Sequence, residues 1–326
     1  MSLRILSSLI GGLAVAALGL TSPGAGAQPF PSKAIRIIVP AAPGGPTDIV
    51  GRALSKVMGE QTGLAVVVEN KAGASGSIGV AAAANSPPDG YTLLVSVPDA
   101  ISIYPLVKKN PPYRVDKDLT PVTLIAKMPI VYAVDARSKA KTLKEFVDLA
   151  KNGKMTYSTP GSGTTAHLMM ELLKYRSGMD LLHVPYKGAA PAMMSIIAGE
   201  TDMTATSPTA LKGFIEKGQL RGLALTAGAR SSSLPDVPTM AEAGFADFVI
   251  PAWFGVFTSR GVSAANADKL NELVLAAIAT PEFQKLATNL GMQIEPVSRQ
   301  AFGTMLTAES ARWKALMEAA KMPQED

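Results

Sequence analysis

Short runs of β-branched residues alternate along the chain with segments whose apolar residues recur at helical spacing. Residues 35–39 are mostly Ile and Val, and after a Gly/Pro-rich loop the apolar residues of 49–58 repeat every three or four positions as far as Gly63. This pattern predicts a buried strand followed by a helix of about four turns, with Thr47 or Asp48 as the N-cap of the helix.

The same alternation continues towards the C-terminus. It predicts strands at 66–68, 92–97, 155–158, 182–184, 203–205 and 220–226, and helices at 77–84, 143–152, 270–278, 281–290 and 298–320. Thr142 and Glu145 have the spacing of a capping box. The aromatic segment 253–257 is interpreted as a packed strand in preference to a ligand platform. Repeated strand–helix units are typical of a parallel sheet covered by helices, so the predicted fold class is α/β, with a second α/β unit.

The first 27 residues have the organisation of a secretory signal peptide. Arg4 precedes an apolar stretch at 5–20, and Ala25 and Ala27 supply the small residues that a signal peptidase requires. The apolar stretch is shorter than the roughly 20 residues that span a bilayer, which disfavours a membrane anchor. We therefore expect cleavage after Ala27 and export of the mature chain to the periplasm.

The composition removes several classes of function. The chain of 326 residues has no cysteine and two histidines, which excludes disulfides, thiolate catalysis and a lipid-bearing cysteine and argues against a metal site. Its formal charge is +5, but the basic residues are scattered, whereas a nucleic-acid binder would cluster them. We expect a monomer of two domains, with no cofactor, metal ion or nucleic-acid partner.

Three donor-rich loops, at 41–48, 71–77 and 158–165, each precede a predicted helix. Their glycines allow backbone N–H groups to point inward at a helix N-terminus, which favours binding of a carboxylate or phosphate. Neither a dinucleotide fingerprint nor a P-loop is present. Each loop alone could be a structural turn, but loops at the carboxyl ends of strands in an open α/β sheet meet where ligands bind. The sequence therefore predicts one anion-binding cleft.

Ser162, His167 and Asp48 could alternatively form a hydrolase triad. The nucleophile elbow G-x-S-x-G is absent around Ser162, where the sequence reads Pro-Gly-Ser-Gly. We therefore interpret His167 as a hydrogen-bonding residue of the first helical turn, and His183 as a core or rim residue of a strand. The protein is not expected to be an enzyme, and a hydrolase is the minor alternative.

Together these motifs resemble the tripartite tricarboxylate transporter receptors, also called the Bug family. The resemblance runs from about residue 35 to the C-terminus. It rests on segments whose order and spacing agree: 40–48 with Arg52, 66–70 with 73–79, 88–94, 161–164 with 167–168, 183–188, 234–239 with 241–244, and 253–255. It implies a type II periplasmic-binding-protein fold, in which two α/β domains joined by crossing strands close on a ligand in the cleft between them. The implied domains are 28–127 with 252–326, and 128–251.

The resemblance also implies which residues contact the ligand. The first two loops would hold a ligand carboxylate, and the third would complete the site from the other domain. The implied ligand-binding residues are Ala42, Pro43, Gly44, Gly45, Thr47, Asp48, Ala74, Ser75, Gly76, Ser77, Ser158, Gly161, Ser162, Gly163, Thr164, His167, Lys187, Gly188 and Thr206. Relatives that bind amino acids often have an aspartate near the position of Thr206, so this threonine disfavours a ligand that carries an ammonium group.

These observations predict a periplasmic solute-binding receptor. It would capture a small di-, tri- or aromatic carboxylate and deliver it to the integral-membrane subunits of a tripartite tricarboxylate transporter. A periplasmic sensor that presents its liganded form to a signalling partner is an alternative that the sequence leaves open.

Overall fold

Two separate β-sheets organise the part of the chain that the structure describes. The structure is a computed structural model that describes residues 30–246, 248, 250–319 and 324, so the predicted signal peptide at 1–27 lies outside the described residues. The strands are β1 (Ile35–Val39), β2 (Val66–Asn70), β3 (Thr92–Ser96), β4 (Leu119–Met128), β5 (Val131–Asp135), β6 (Met155–Thr159), β7 (Leu181–Pro185), β8 (Met203–Thr206), β9 (Leu220–Leu225), β10 (Ala252–Ser259) and β11 (Gln293–Ile294). The helices are α1 (Pro46–Thr62), α2 (Ser77–Ala84), α3 (Tyr104–Val107), α4 (Val115–Asp118), α5 (Leu143–Asn152), α6 (Thr165–Ser177), α7 (Ala189–Ile197), α8 (Pro208–Glu216), α9 (Ala264–Ile278), α10 (Pro281–Asn289) and α11 (Arg299–Ala319).

The chain passes between the two sheets twice. The first sheet has the strand order β11-β4-β10-β3-β1-β2 and the second the order β7-β6-β8-β5-β9. The chain therefore crosses after β4 and returns after β9. Strands β5 and β10 are the first strands after each crossing, and each runs antiparallel to both of its neighbours. The reason is that the chain enters each sheet at the edge where the parallel strands end, so the first strand runs back in the opposite direction. Both sheets are thus mixed, and the expectation of a wholly parallel sheet is wrong for the crossing strands.

Helices cover both faces of each sheet. On β1, Ile37 and Val39 pack among apolar residues of α1, α9 and α10, whereas Ile38 points to the opposite face, towards α2 and α11. The second sheet has α5 and α6 on one face and α7 and α8 on the other. Helix α11 contacts both cores, since Phe302 packs on the first sheet and Trp313 on the second.

Helix α1 begins slightly before the predicted N-cap. Gly45 is the N-cap and Pro46 the first helical residue, because the fixed φ of proline suits that position and its missing N–H is not needed there. The prediction that Thr47 or Asp48 caps the helix is therefore wrong, and both are buried in its first turn. Gly63 ends the helix with a φ of 68°, as expected.

The capping box predicted at Thr142 and Glu145 is confirmed. Thr142 caps α5 by accepting a hydrogen bond from the Glu145 amide at 3.2 Å, and the Glu145 carboxylate accepts one from the Lys141 amide at 2.7 Å. Thr280 caps α10 through its side chain.

Across the described ranges, no helix has both the length and the apolar character that a membrane crossing requires.

Candidate functional site

The three predicted loops lie at the carboxyl ends of strands, and the turn after β3 links the second loop to the third. A Cβ atom placed on Gly76 of the second loop would lie 3.1 Å from the carbonyl oxygen of Pro40, where the first loop starts. The same Cβ would lie 3.0 Å from the Cβ of Ala100, in the turn after β3. The preceding residue of that turn, Asp99, accepts a hydrogen bond from the amide of Thr165 at 2.9 Å. Loops of the first sheet thus meet the third loop, which belongs to the second sheet.

The first loop is held by the carboxylate of Asp48. Its Oδ2 accepts hydrogen bonds from the Gly44 amide at 2.8 Å and from Nε of Arg52 at 2.9 Å, while Oδ1 accepts one from Nδ2 of Asn70 at 2.8 Å. The hydrogen bond from the Arg52 guanidinium is the main cause that lowers the pKa of Asp48 to about 2. Asp48 therefore shapes the loop from inside, and a ligand at this loop would meet backbone amides of the first turn of α1, which have no intrahelical acceptor.

The second loop has four consecutive residues with positive φ. Gly73 and Gly76 have φ values of 125° and 91°, and between them Ala74 and Ser75 have values of 46° and 52°. A left-handed conformation costs a non-glycine residue about 1–2 kcal/mol, and such strain is concentrated at functional sites. The conformation places an exposed, donor-bearing turn in front of the N-terminus of α2.

The third loop is ordered by its own side chains. Thr164 caps α6 by accepting from the His167 amide at 3.3 Å and donates to the Gly161 carbonyl at 2.8 Å. His167 Nδ1 accepts from the Gly163 amide at 3.1 Å, which confirms that His167 hydrogen-bonds within the first helical turn. Ser162 lies at the exposed tip of the loop, and its hydroxyl forms no hydrogen bond with the residues that the structure describes.

Both histidines of the chain support this loop as a stack of rings. The His167 and His183 rings lie 4.0 Å apart between centroids, and the His183 ring lies 4.8 Å from that of Tyr157. His183 Nε2 is 2.7 Å from Oγ1 of Thr159, at the end of β6. Burial, followed by the neighbouring His167, lowers the pKa of His183 to about 4. His183 is thus a neutral supporting residue near pH 7.

The residues predicted to bind ligand differ widely in exposure. Ala42, Pro43, Gly44, Ala74, Ser75, Ser162 and Lys187 are exposed; Gly45, Gly161, Gly163, Thr164, His167 and Gly188 are partly exposed; Thr47, Asp48, Gly76, Ser77, Ser158 and Thr206 are buried. The Ser158 hydroxyl donates to the carbonyl of Ala192 at 2.7 Å, so this side chain braces β6 against α7. The amide of Gly188 donates to the Pro160 carbonyl at 3.0 Å, which places Gly188 and the adjacent Lys187 beside the third loop.

Asp99 is a residue of this region that the sequence analysis missed. It follows β3, in a short π-helical segment at Asp99–Ile103, and its Oδ1 accepts hydrogen bonds from both the amide and the hydroxyl of Thr165. Asp99 as a whole is partly exposed, but protein surrounds its carboxyl group. This desolvation raises the pKa of Asp99. Nothing in the local sequence marks it, because its partner lies in the other half of the fold.

The geometry does not assemble a hydrolase triad. Asp48 bonds to Arg52, Asn70 and the Gly44 amide, and the Nδ1 atom of His167 is occupied by a loop amide. Asp48 therefore does not orient His167 in the way a triad requires. Among the described residues no group of three or more His, Asp and Glu side chains could hold a metal ion.

Two cavities lie away from the three loops. One of about 480 Å³ runs between the segment around Tyr113 and helix α11, and one of about 420 Å³ lies behind the crossing strands near Trp253 and Glu309. Neither has a residue of the three loops in its lining. The loops are the candidate site, because each of them leads into the N-terminus of a helix, where backbone amides without an intrahelical acceptor favour an anion.

Sequence comparison gives one consistent result. Residues 50–322 match the family model described as tripartite tricarboxylate transporter family receptor. BugT of Bordetella pertussis (strain Tohama I) is 35% identical over 274 residues, which cover 82% of each protein.

Solved structures of similar fold cover nearly the whole chain. The periplasmic binding protein BugD superposes with a TM-score of 0.80 at 30% identity, covering 91% of this chain and 100% of its own. Rpa4515 of Rhodopseudomonas palustris, solved with adipate, gives 0.81 at 30% identity over 90% and 98%. MatC of the same organism, solved with bound malate, gives 0.76 at 28% identity over 88% and 99%. The predicted periplasmic-binding-protein fold is confirmed.

Proposed function

Because the chain belongs to the family of tripartite tricarboxylate transporter receptors, we propose that it captures a small organic carboxylate in the periplasm and delivers it to the membrane subunits of such a transporter. Proteins of this family are solute-binding receptors, so the chain is a binding protein and not an enzyme. The export signal at 1–27 supports a periplasmic location.

The observation that carries this proposal is the meeting of the three loops. Pro40, Gly76 and the turn at 99–100 bring two loops of the first sheet together, and Thr165 brings the third from the second sheet. Each loop leads into the N-terminus of a helix, where the unsatisfied amides and the helix dipole favour an anion. A carboxylate between these loops would contact both sheets.

We assign the division into domains from the crossings between the sheets. Residues 28–127 with 252–326 would form one domain and 128–251 the other, and a monomer would close on its ligand by bending at the segments between β4 and β5 and between β9 and β10. The packing of Trp313 in the second core implies that α11 bends or slides during closure.

The chemical class of the ligand follows from the loops and from two neighbours. Adipate and malate, which accompany two of the similar structures, are both dicarboxylates. We extend the proposal to di-, tri- and aromatic carboxylates, since backbone amides recognise the carboxylate group and not the carbon skeleton.

Thermal-shift screening of the mature chain, residues 28–326, against mono-, di-, tri- and aromatic carboxylates tests the proposal. A ligand at 100 times its Kd adds about 2.7 kcal/mol of stability, which gives a clear rise in Tm. Small-angle scattering should then detect a more compact protein with ligand, and no turnover of esters or amides should be measured. A flat response to the whole panel would refute the proposal.

A matched pair of glycine variants locates the site. Gly76 and Gly218 both have positive φ values, so alanine strains the backbone at either position. Only at Gly76 would the new methyl group meet Pro40 and Ala100 between the loops, whereas nothing lies within 4 Å at Gly218. We expect Gly76→Ala to abolish ligand binding and Gly218→Ala to retain it, while circular dichroism confirms that both variants are folded.

Delivery to the transporter is tested in cells. Deletion of the gene should abolish uptake of the radiolabelled ligand that the screen identifies, and the wild-type gene should restore it. Normal uptake in the deletion strain, together with lost transcriptional response to the ligand, would favour the sensor over the transport receptor.

A further inference from the structure

The cavity of about 480 Å³ beside helix α11 has a floor of buried apolar side chains. Ile101, Tyr113, Leu119 and Phe257 line it, and each is at most 4% exposed. The volume lies in the range that is typical of small-molecule sites. None of the large apolar side chains exposed on the described surface belongs to the lining. The apolar floor therefore lies inside a concavity, which a small molecule can enter and a flat macromolecular surface cannot.

Basic side chains border this floor. Arg114 precedes α4, Arg260 follows β10 and Lys314 belongs to α11, and all of them are exposed residues of the lining. None of them forms a salt bridge with another described residue. Asp116 is the single acidic residue among the described residues of the lining, so the cavity carries an excess of positive charge. The basic residues are far apart in the sequence, and only the fold brings them to one cavity.

Asp118 of α4 holds the two arginines beside the cavity without neutralising them. Its Oδ2 accepts a hydrogen bond from the backbone amide of Arg114 at 2.7 Å, and its carbonyl oxygen accepts one from the backbone amide of Arg260 at 3.0 Å. Both contacts engage the backbone and leave each guanidinium group available. Like charges that border one cavity repel each other, and an anion between them would relieve that repulsion.

The floor and the basic residues together define the chemistry of a ligand. An apolar chain or ring would cover the floor and release water from apolar surface, which is favourable. An anionic head group at the mouth of the cavity would accept charge-assisted hydrogen bonds from the guanidinium groups, whose planar donors match a carboxylate. The three loops, by contrast, present backbone amides at helix N-termini.

We propose that this cavity is a second binding site, separate from the three loops, for an amphipathic anion with an apolar body and a carboxylate head group. The proposal does not depend on the function proposed for the loops, because no residue of the loops lines the cavity. The two sites can therefore be tested independently.

Two other interpretations make different predictions. If Arg114, Arg260 and Lys314 are only solvated surface charges, their removal leaves the binding of an amphipathic anion unchanged. If they form a contact with a membrane surface, the protein sediments with vesicles of phosphatidylglycerol and does not bind a soluble amphipathic anion. Either result would overturn the proposal.

The test is calorimetric titration of the mature chain, residues 28–326, with octanoate, octanol and acetate. Octanol has the chain without the charge, so we expect octanoate to bind at least about fivefold more tightly than octanol. Acetate has the charge without the chain, so octanoate should bind at least about tenfold more tightly than acetate. Octanol binding as tightly as octanoate, or no binding of octanoate, would overturn the proposal.

A charge variant locates the head group. Removing both guanidinium groups in Arg114→Gln/Arg260→Gln should weaken octanoate binding about tenfold, because each exposed ion pair contributes at most about fivefold. Lys139→Gln/Lys144→Gln is the matched control, since it removes two exposed charges outside the cavity and should retain the affinity.

A bulky variant locates the apolar body. Ala311→Trp places a large side chain in the lining and should abolish octanoate binding. Ala301→Trp on the same helix lies outside both cavities and should retain binding. Circular dichroism checks that all variants are folded. Unchanged octanoate affinity in both the charge variant and Ala311→Trp would overturn the proposal, whereas failure of the carboxylate screen would refute only the function proposed for the loops.

Discussion

Replacing Asp48 with asparagine tests whether an internal carboxylate holds the first loop in place. The side chain of Asp48 is 3% exposed, and Asp48→Asn keeps its shape while removing its charge. An amide oxygen can still accept the hydrogen bond from Gly44. The variant loses the charge-assisted hydrogen bond from Arg52. With its oxygen towards Gly44, its amide nitrogen takes the place of Oδ1 and faces the donor Nδ2 of Asn70.

The magnitude follows from the lowered pKa. Asp48 falls from an ordinary value of 3.8 to about 2, and at about 1.4 kcal/mol for each pH unit this corresponds to at most about 2.5 kcal/mol. The side chain of Arg52 is 55% exposed, so water screens part of the interaction. We expect Asp48→Asn to lower the free energy of unfolding at pH 7 by about 1–2 kcal/mol.

The pH dependence has a defined sign. The folded state binds the proton of Asp48 less tightly than the unfolded state does, so the stabilisation is complete above about pH 5 and is lost as the pH falls through 3.8 towards 2. At pH 3 roughly half of the difference between wild type and variant should remain.

Urea unfolding followed by tryptophan fluorescence at several pH values between 7 and 3 measures this difference. Asp236→Asn is the matched control, because Asp236 is exposed and its side chain forms no hydrogen bond with the described residues. An unfolding free energy of Asp48→Asn equal to that of the wild type at pH 7, or a difference that does not shrink at pH 3, would refute the account of the loop.

Three further outcomes are expected from other parts of the molecule. Gly79→Ala should destabilise the protein by several kcal/mol in urea unfolding, since its Cβ would lie 2.7 Å from Pro40 Cα. Gly213→Ala, with open space around its helical position, should instead stabilise the protein by about 0.5–1 kcal/mol. Equal effects of the two substitutions on the unfolding free energy would contradict this packing. The ring protons of His183 should titrate by NMR with a midpoint near the pKa of about 4, so the neutral form is lost only as the pH falls well below 6.5. A midpoint above pH 6 would contradict the buried ring stack. Glu309→Ala should lower the free energy of unfolding by about 2–4 kcal/mol, because it leaves the buried indole N–H of Trp253 and the buried hydroxyl of Ser102 without their acceptor. A loss below about 0.5 kcal/mol would show that water replaces the carboxylate.

Several elements could be predicted from short stretches of sequence. The Ile and Val run at 35–39 is a strand with the predicted bounds, and α2 spans the predicted 77–84. The cap at Thr142 forms through residues within four positions of it. Each of these signals depends on contacts inside a few residues, where side-chain periodicity and local hydrogen bonding decide the outcome.

Strand β4 shows why other elements were not predicted. Pro121 and Lys127 interrupt its apolar pattern, and its burial comes from pairing with β10, more than 120 residues later in the chain, on one side and β11 on the other. A proline is tolerated there because the register with β10 is irregular near Phe257. Information of this kind is absent from the segment itself.

The sequence by itself determined the donor-rich loops, the helices that follow them and the cap at Thr142, since these depend on neighbours a few residues away. The tertiary structure alone decided that the three loops meet, that the Asp48 carboxylate turns inward to Arg52 and Asn70, and that Asp99 stands opposite Thr165. The physical reason is the pairing of distant strands. The crossing after β4 brings residues 66 positions apart to hydrogen-bonding distance, and no local pattern specifies that approach.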